Sequence, residues 1–345
     1  MYKKIFMGIA AVAALTLVSC SSDDLNSLSD NSSKNEAISF DGYWGRSAVS
    51  VNGSRGSVID KAEDLQKVSE GFGVFGNYSS TDGEAFGSNL FENQKVTYST
   101  KETKWTYSPK KYWSPQGHID FLAYAPHVDG TTLKNTSCIE FTVADNAADQ
   151  KDLLWANAAN QTKANNSGIG KKVNFKFAHA LSRLGYTVKT DLTSSSDVTI
   201  TLKKITLAGS KDGIQKAFYP KGTINLSTGV WTPSTTDEKQ NFVWLSTDKT
   251  LDSDTKNSDK EYLFVIPQNF SKTEENADAL FVIVEYTIKY GDEKPVTYTV
   301  SSQLKQNFEQ GTAYSINLTL GLTPIEFDAD VTGWKNTEGK DVYWN

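Results

Sequence analysis

From Gly71 onward the chain is written in short runs in which apolar and polar residues alternate. "GFGVFGNY" (Gly71 to Tyr78) sets Phe72 and Val74 on one face, "KVTYST" does the same with Val96 and Tyr98, and "HIDFLAYAP" with Ile119, Phe121 and Ala123. A period of two is that of a β-strand with one face against a core. The second half continues with "VNFKFAHALSRLGYTVKT", "VTITLKKITLAG", "EYLFVIP", "LFVIVEYTIKYG", "VTYTVSS" and "AYSINLTL". These runs are rich in Thr, Val, Ile, Tyr and Phe, and proline stays outside their interiors, as strand chemistry requires. Clusters of Gly, Asn, Asp and Ser part them at the spacing of antiparallel sandwiches. Helical signal is confined to "DKAEDLQKV", Asp60 to Val68, with Asp60 placed to act as N-cap. The 345 residues are enough for two domains, and the polar stretch "NAANQTKANNSGIGKK", Asn157 to Lys172, is the expected divide. The pattern therefore predicts an all-β chain of two tandem β-sandwich domains, residues 37–165 and 166–345, with few short helices.

The beginning of the chain reads differently. Lys3 and Lys4 precede an apolar run from Ile5 to Val18, which has the shape of a signal peptide over residues 1–19. Leu17-Val18-Ser19-Cys20 resembles a bacterial lipobox, so Cys20 is the expected lipidation site and outer-membrane lipid the expected first partner. Asp23 and Asp24 follow where surface-exported lipoproteins of Bacteroidetes carry acidic residues. Residues 20–36, with "LNSLSDNSSKN", are polar and simple enough to serve as a tether. With Cys20 lipidated, Cys138 has no cysteine left to pair with inside the chain.

Composition narrows the function classes. A net charge of -6 and scattered lysines exclude a nucleic-acid footprint. The three histidines, His118, His127 and His179, stand at no metal-ligand spacing, and phosphate-loop, nucleophile-elbow and calcium-loop patterns do not occur, so no catalytic residue, metal or cofactor is assigned. "DSDTKNSD", Asp252 to Asp259, lacks the glycine and glutamate of a calcium loop. Trp105, Tyr107, Tyr112 and Trp113 could stack on sugars, but burial at the end of a sandwich is the favoured reading.

Two features near the ends stand out. "AISFDGYWGR", Ala37 to Arg46, and "PIEFDADVTGW", Pro324 to Trp334, share Ile-x-Phe-Asp. Ile38, Phe40 and Trp44 form the apolar row of the first; Ile325, Phe327, Ala329 and Val331 form that of the second. Only three arginines occur: Arg46 and Arg55 in a Gly/Ser-rich segment just behind the first copy, and Arg183 within strand-like sequence. An Arg-specific protease would find its accessible targets at the front.

In order along the chain, the lipobox at Cys20, "ISFDGYWGR", "GFGVFGNY", "WTYSPKKYWSPQGHIDFLAYAPH", "DLLWANA", "VNFKFAHALSRLGYTV" and "INLTLGLTPIEFDADVTGW" resemble the fimbrillin family, the Mfa-like pilus subunits of Bacteroidetes. The resemblance implies two transthyretin-like Greek-key sandwiches and a lipoprotein precursor at the outer membrane and cell surface. It implies cleavage by an Arg-specific surface protease at Arg46, with Arg55 as the alternative, and removal of the first strand, about residues 37–46. Residues 323–334 of another subunit, of the same or a different kind, would then fill the place of Ile38, Phe40 and Trp44, building a fimbria that adheres to host or bacterial surfaces. The alternative from another class is a surface glycan-binding lipoprotein that stays lipid-anchored.

Overall fold

A computed structural model of the protein describes residues 37–44, 59, 61–80, 89–166, 171–190, 197–245, 248–251, 262–271, 278–320 and 326–332. Its strands form five sheets. The largest has seven strands in the order β1 (Phe40–Trp44), β8 (Val173–His179), β7 (Leu154–Gln161), β5 (His118–Ala125), β2 (Phe72–Ser79), β3 (Phe91–Ser99) and β4 (Lys104–Thr106). A five-stranded sheet runs β13 (Phe242–Leu245), β10 (Val198–Ala208), β17 (Phe281–Tyr290) and β18 (Val296–Gln303), with β14 (Lys249–Leu251) also on β10. A four-stranded sheet runs β15 (Leu263–Val265), β9 (Ser182–Thr190), β20 (Ala313–Leu320) and β21 (Glu326–Thr332). A three-stranded sheet of β12 (Trp231–Pro233), β11 (Lys221–Asn225) and β6 (Cys138–Thr142), and a pair of β16 (Gln268–Asn269) and β19 (Asn307–Phe308), complete the set. The α-helices among the described residues are α1 (Ala62–Lys67) and α2 (Lys163–Asn166), so the expected all-β class holds.

Two cores organise these sheets. The first gathers Ile38, Phe40, Leu65, Phe72, Val74, Phe121 and Phe175 on one face of the seven-stranded sheet. The second lies between the five- and four-stranded sheets, where Leu202, Val284, Leu184 and Ile316 meet. Phe75, Leu122 and Tyr124 belong to this second core although β2 and β5 also feed the first. The central strands of the large sheet are therefore buried on both faces, which is why "GFGVFGNY" carries apolar residues at adjacent as well as alternate positions. Its glycines answer a steric demand: a Cβ at Gly73 would come 2.5 Å from the Tyr124 ring.

The chain passes between the sheets later than the polar stretch suggests. Asn157 to Gln161 are the end of β7, paired with β5, and β8 returns to the large sheet beside β1 and β7. The passage falls at Ala180 and Leu181, between β8 and β9, while β6, from the first half, pairs with β11. The polar residues misled because the last turns of β7 run out past the core, where Asn157 and Asn160 are exposed. Direct bonds tie the halves: Phe264 N–H donates to Gln150 Oε1 at 2.6 Å, and the Trp231 indole N–H to the Ala180 carbonyl at 2.6 Å. The short helix also starts differently. Lys61, with extended backbone and no side-chain cap bond, takes the N-cap position, and Asp60 lies outside the described residues. What fixes the helix is Leu65, buried in the first core.

The first core is aromatic. Phe121 packs with ring centroids 5.4 Å from Phe40, 5.6 Å from Phe91 and 6.3 Å from both Trp113 and Phe175. Phe121→Ala is expected to cost about 3–5 kcal/mol in a denaturant titration, because four neighbouring rings cannot collapse into the space it leaves.

Candidate functional site

β1 is the strand on which the first core depends. It runs parallel to β8, with Phe40 opposite Val173, Gly42 opposite Phe175 and Trp44 opposite Phe177. Ile38 is 0% and Phe40 2% exposed. The Phe40 ring sits within a cage of Phe91 at 5.5 Å, Tyr107 at 5.4 Å, Phe121 at 5.4 Å and Phe175 at 5.6 Å. Upstream of β1, Ala37 bridges to Tyr112 and the Ile38 amide donates to the Lys111 carbonyl at 2.9 Å. The strand thus lies at the edge of the sheet beside β8, and the residues just before it reach the segment that follows β4, the strand at the other edge.

Tyr107 is the clasp at that second edge. Its hydroxyl donates to the Ile38 carbonyl at 2.8 Å and accepts from the Lys111 amide at 3.2 Å. Burial pushes the phenol up to about 12. On the opposite side of the strand, Lys172 Nζ lies 3.2 Å from Asp41 Oδ2. Facing the first core, Gly42 lies against Phe177 and Leu65, so close that an added Cβ would be 3.1 and 3.2 Å from them.

The C-terminal strand occupies a different place. β21 is the edge strand of the four-stranded sheet, antiparallel to β20, with Phe327 in register with Leu318, Ala329 with Ile316 and Val331 with Tyr314. The two Ile-x-Phe-Asp segments are not brought together within one chain. Cys20, Arg46, Arg55 and Ile325 lie outside the described residues, as do the side chains of Trp44, Phe327, Ala329 and Val331. Arg183 is 7% exposed on β9, its guanidinium stacked 4.4 Å from the Tyr262 ring centroid. That arginine is protected, as its strand-like surroundings predict.

The other candidate residues are separate. His118 lies 3.5 Å from Asp120, His127 faces the Asn93 carbonyl at 3.2 Å, and His179 meets the buried Asp152 at 2.9 Å. No group of three metal-ligating side chains forms among the described residues. Trp105, Tyr107 and Trp113 are buried as the plug reading expects; Tyr112, 53% exposed, is not. "DSDTKNSD" is outside the described residues. Sequence reasoning missed Tyr107 as a clasp, Lys172 as a partner for Asp41, and the β8 row as the seat of β1. The alternation of Val173, Phe175 and Phe177 marks β8 as a strand, but nothing in it names the partner.

A strand at the chain's front that completes a core, followed in sequence by two arginines, directs attention to assembly proteins. The family model described as fimbrillin-like matches residues 61–334, most of the chain. The chain belongs to the fimbrillin-like family. Among solved structures, a fimbrial protein from Bacteroides vulgatus superposes with a TM-score of 0.66 at 21% identity, covering 87% of this chain and 100% of that one. Candidate cell adhesion proteins from Bacteroides ovatus (TM-score 0.52, 17% identity, 89% and 100% covered) and Bacteroides uniformis (0.51, 18%, 87% and 99%) share the fold. No match was found among curated proteins. Family membership supports a fimbrial, cell-surface protein with a structural role.

Tyr107→Phe in this fimbrillin-like chain removes the hydroxyl that holds Ile38, and is expected to cost about 1 kcal/mol. Amide exchange at Ile38 should rise more than exchange on β5. Folding keeps the phenol protonated up to about 12, whereas an unfolded tyrosine ionises near 10, so its contribution is complete below about pH 10 and is lost as pH rises toward 12. The Tyr107→Phe chain should lack that alkaline component in a pH series of denaturation midpoints.

Proposed function

We propose that the chain is the precursor of a fimbrial subunit that polymerises by exchanging strands. It is exported as a lipoprotein held through Cys20, cut after Arg46, or after Arg55, by an Arg-specific surface protease, and stripped of β1. The C-terminal strand of another subunit, with Ile325, Phe327, Ala329 and Val331, then fills the vacated groove. The fibre so formed serves adhesion, the role given to the relatives from Bacteroides ovatus and Bacteroides uniformis.

The observation that carries this reading is the position of β1. Ile38 and Phe40 are buried in the first core, yet the strand that bears them stands at the front of the fold, with Arg46 two residues beyond its last residue, Trp44. Removing it re-exposes those two pockets. At about 1.5–3 kcal/mol for each large side chain buried, refilling both returns about 3–6 kcal/mol gross, with β8 backbone pairing in addition. A groove of this kind binds any strand of matching period. Arg183, buried and stacked on Tyr262, offers the same protease no target. The glycan-binding alternative loses its platform, since Trp105, Tyr107 and Trp113 are buried.

Purified precursor treated with an Arg-specific protease should acquire Ser47 or Gly56 as its first residue and give detergent-resistant ladders on unheated gels. A chain carrying both Arg46→Ala and Arg55→Ala should stay monomeric and uncut at the front. Ladders from that uncut double variant would overturn cleavage as the trigger.

A further inference from the structure

Resting on the exchange reading above, we infer that the groove accepts a strand in one register only, and that residues 325–331 of a second copy of this chain meet it. In that register Ile325 takes the place of Ile38, Phe327 of Phe40, Asp328 of Asp41 and Ala329 of Gly42.

Three independent features of the groove define the fit. The first is the cage of Phe91, Tyr107, Phe121 and Phe175, which holds one six-membered ring at Phe40. The second is the narrow floor two residues on. A Cβ at Gly42 would stand 3.1 Å from Phe177 Cε2 and 3.2 Å from Leu65 Cδ2. Both contacts are side-chain ends that can yield a few tenths of an ångström for a methyl group, but a branched or aromatic side chain does not fit there. The third is the cation Lys172, which holds Asp41 at 3.2 Å, with Lys176 further along β8 in register with Tyr43.

The C-terminal sequence answers each feature at the required spacing. Phe327 is followed two residues later by Ala329, the smallest side chain in the strand, and Asp328 between them repeats Asp41. Asp330 would then stand opposite Lys176 in place of Tyr43. In the single subunit Glu326, Asp328 and Asp330 are in register with Thr319, Asn317 and Ser315, none of which is charged. Moving from β20 to β8 brings an acidic row to a basic one, which favours the groove and fixes direction.

Other registers fail for stated reasons. A slip of one residue turns Asp328 or Glu326 into the aromatic cage. A slip of two in one direction sets Phe327 over the narrow floor; a slip of two in the other sets Val331 there and leaves Ala329 in a cage sized for a phenyl ring. The chain's own residues 325–331 match the cage, the floor and the lysines at the required spacing, which is the ground for assigning a second copy as the partner.

The experiment uses full-length precursor carrying Cys138→Ser, cleaved with the Arg-specific protease. Asp41 and Asn174 are register partners, so Asn174→Cys combined with Asp328→Cys should give disulfide-linked multimers on mild oxidation. Pairing Asn174→Cys with Glu326→Cys or Asp330→Cys should not. Ala329→Leu should abolish the ladder, and adding Leu65→Ala, which opens the floor, should restore it. Cross-linking through position 326 or 330, or an undiminished ladder from Ala329→Leu, overturns the register while leaving strand exchange standing. A cleaved wild-type chain that loses β1 and forms ladders only with a different subunit overturns the second-copy assignment. One that loses β1 and never polymerises overturns the exchange reading itself.

Discussion

The fold depends on β8 having β1 beside it. β7 pairs with β8 at only two register positions, Leu154 with His179 and Trp155 with Ala178, both at the end of β8 where the chain leaves for the second core. Val173 to Phe177, the part of β8 that carries Val173, Phe175 and Phe177 into the first core, is in register with β1. A buried strand with free amides and carbonyls along one side is costly, and an apolar row open to water adds to the cost. The N-terminal strand is therefore an integral part of the core, and on the proposed exchange any strand that replaced it would inherit the same duties: a phenyl ring in the cage, a small residue over Phe177 and Leu65, backbone groups for β8.

Both ends of the chain are used as covers. β1 closes the open side of the seven-stranded sheet, while β21 closes the β20 edge of the four-stranded sheet. Exposed edges template association, so a subunit with both edges covered is protected from pairing with its neighbours. The proposed exchange would convert that protection into linkage. A subunit that gave up β21 would uncover β20, where Tyr314, Ile316 and Leu318 are buried, and this loss would set a limit on how favourable the groove must be. The acidic positions of β21 are in register with Thr319, Asn317 and Ser315 on β20, and in the proposed register they would lie beside lysines of β8, which would act in the direction of transfer.

Much of this was legible in the residues and some was not. Strand periodicity marked β2, β5, β9, β10, β17 and β20 because each has a face in a core, and a strand of period two cannot conceal it. The break between cores was misplaced because Asn157 to Gln161 look like linker yet are a strand end running past the packed layers. A strand keeps its backbone pairing whether or not its side chains are covered, so polarity alone does not end it. Asp60 looked like a cap, but helix α1 is held by Leu65 packing on the first core, and tertiary burial outweighs capping in a helix of six residues. The likeness of the two Ile-x-Phe-Asp segments was visible from the start. The seat of the first copy was not, because the pairing of β1 with β8 joins residues more than a hundred positions apart and leaves no local trace.

The geometry around Gly42 turns that likeness from a resemblance of pattern into one of size. Period-two matching is a weak filter: any β-rich chain holds many segments with alternate apolar residues, and each could enter an open groove at some register. A cage sized for one ring, set two residues before a floor that admits no more than a methyl group, rejects nearly all of them. Ile-x-Phe-x-Gly at the front satisfies both conditions, Ile-x-Phe-x-Ala at the back matches them in sequence, and in the proposed register Asp328 would take the place of Asp41 beside Lys172. Specificity here comes from what the groove excludes at position 42 more than from what it attracts at position 40.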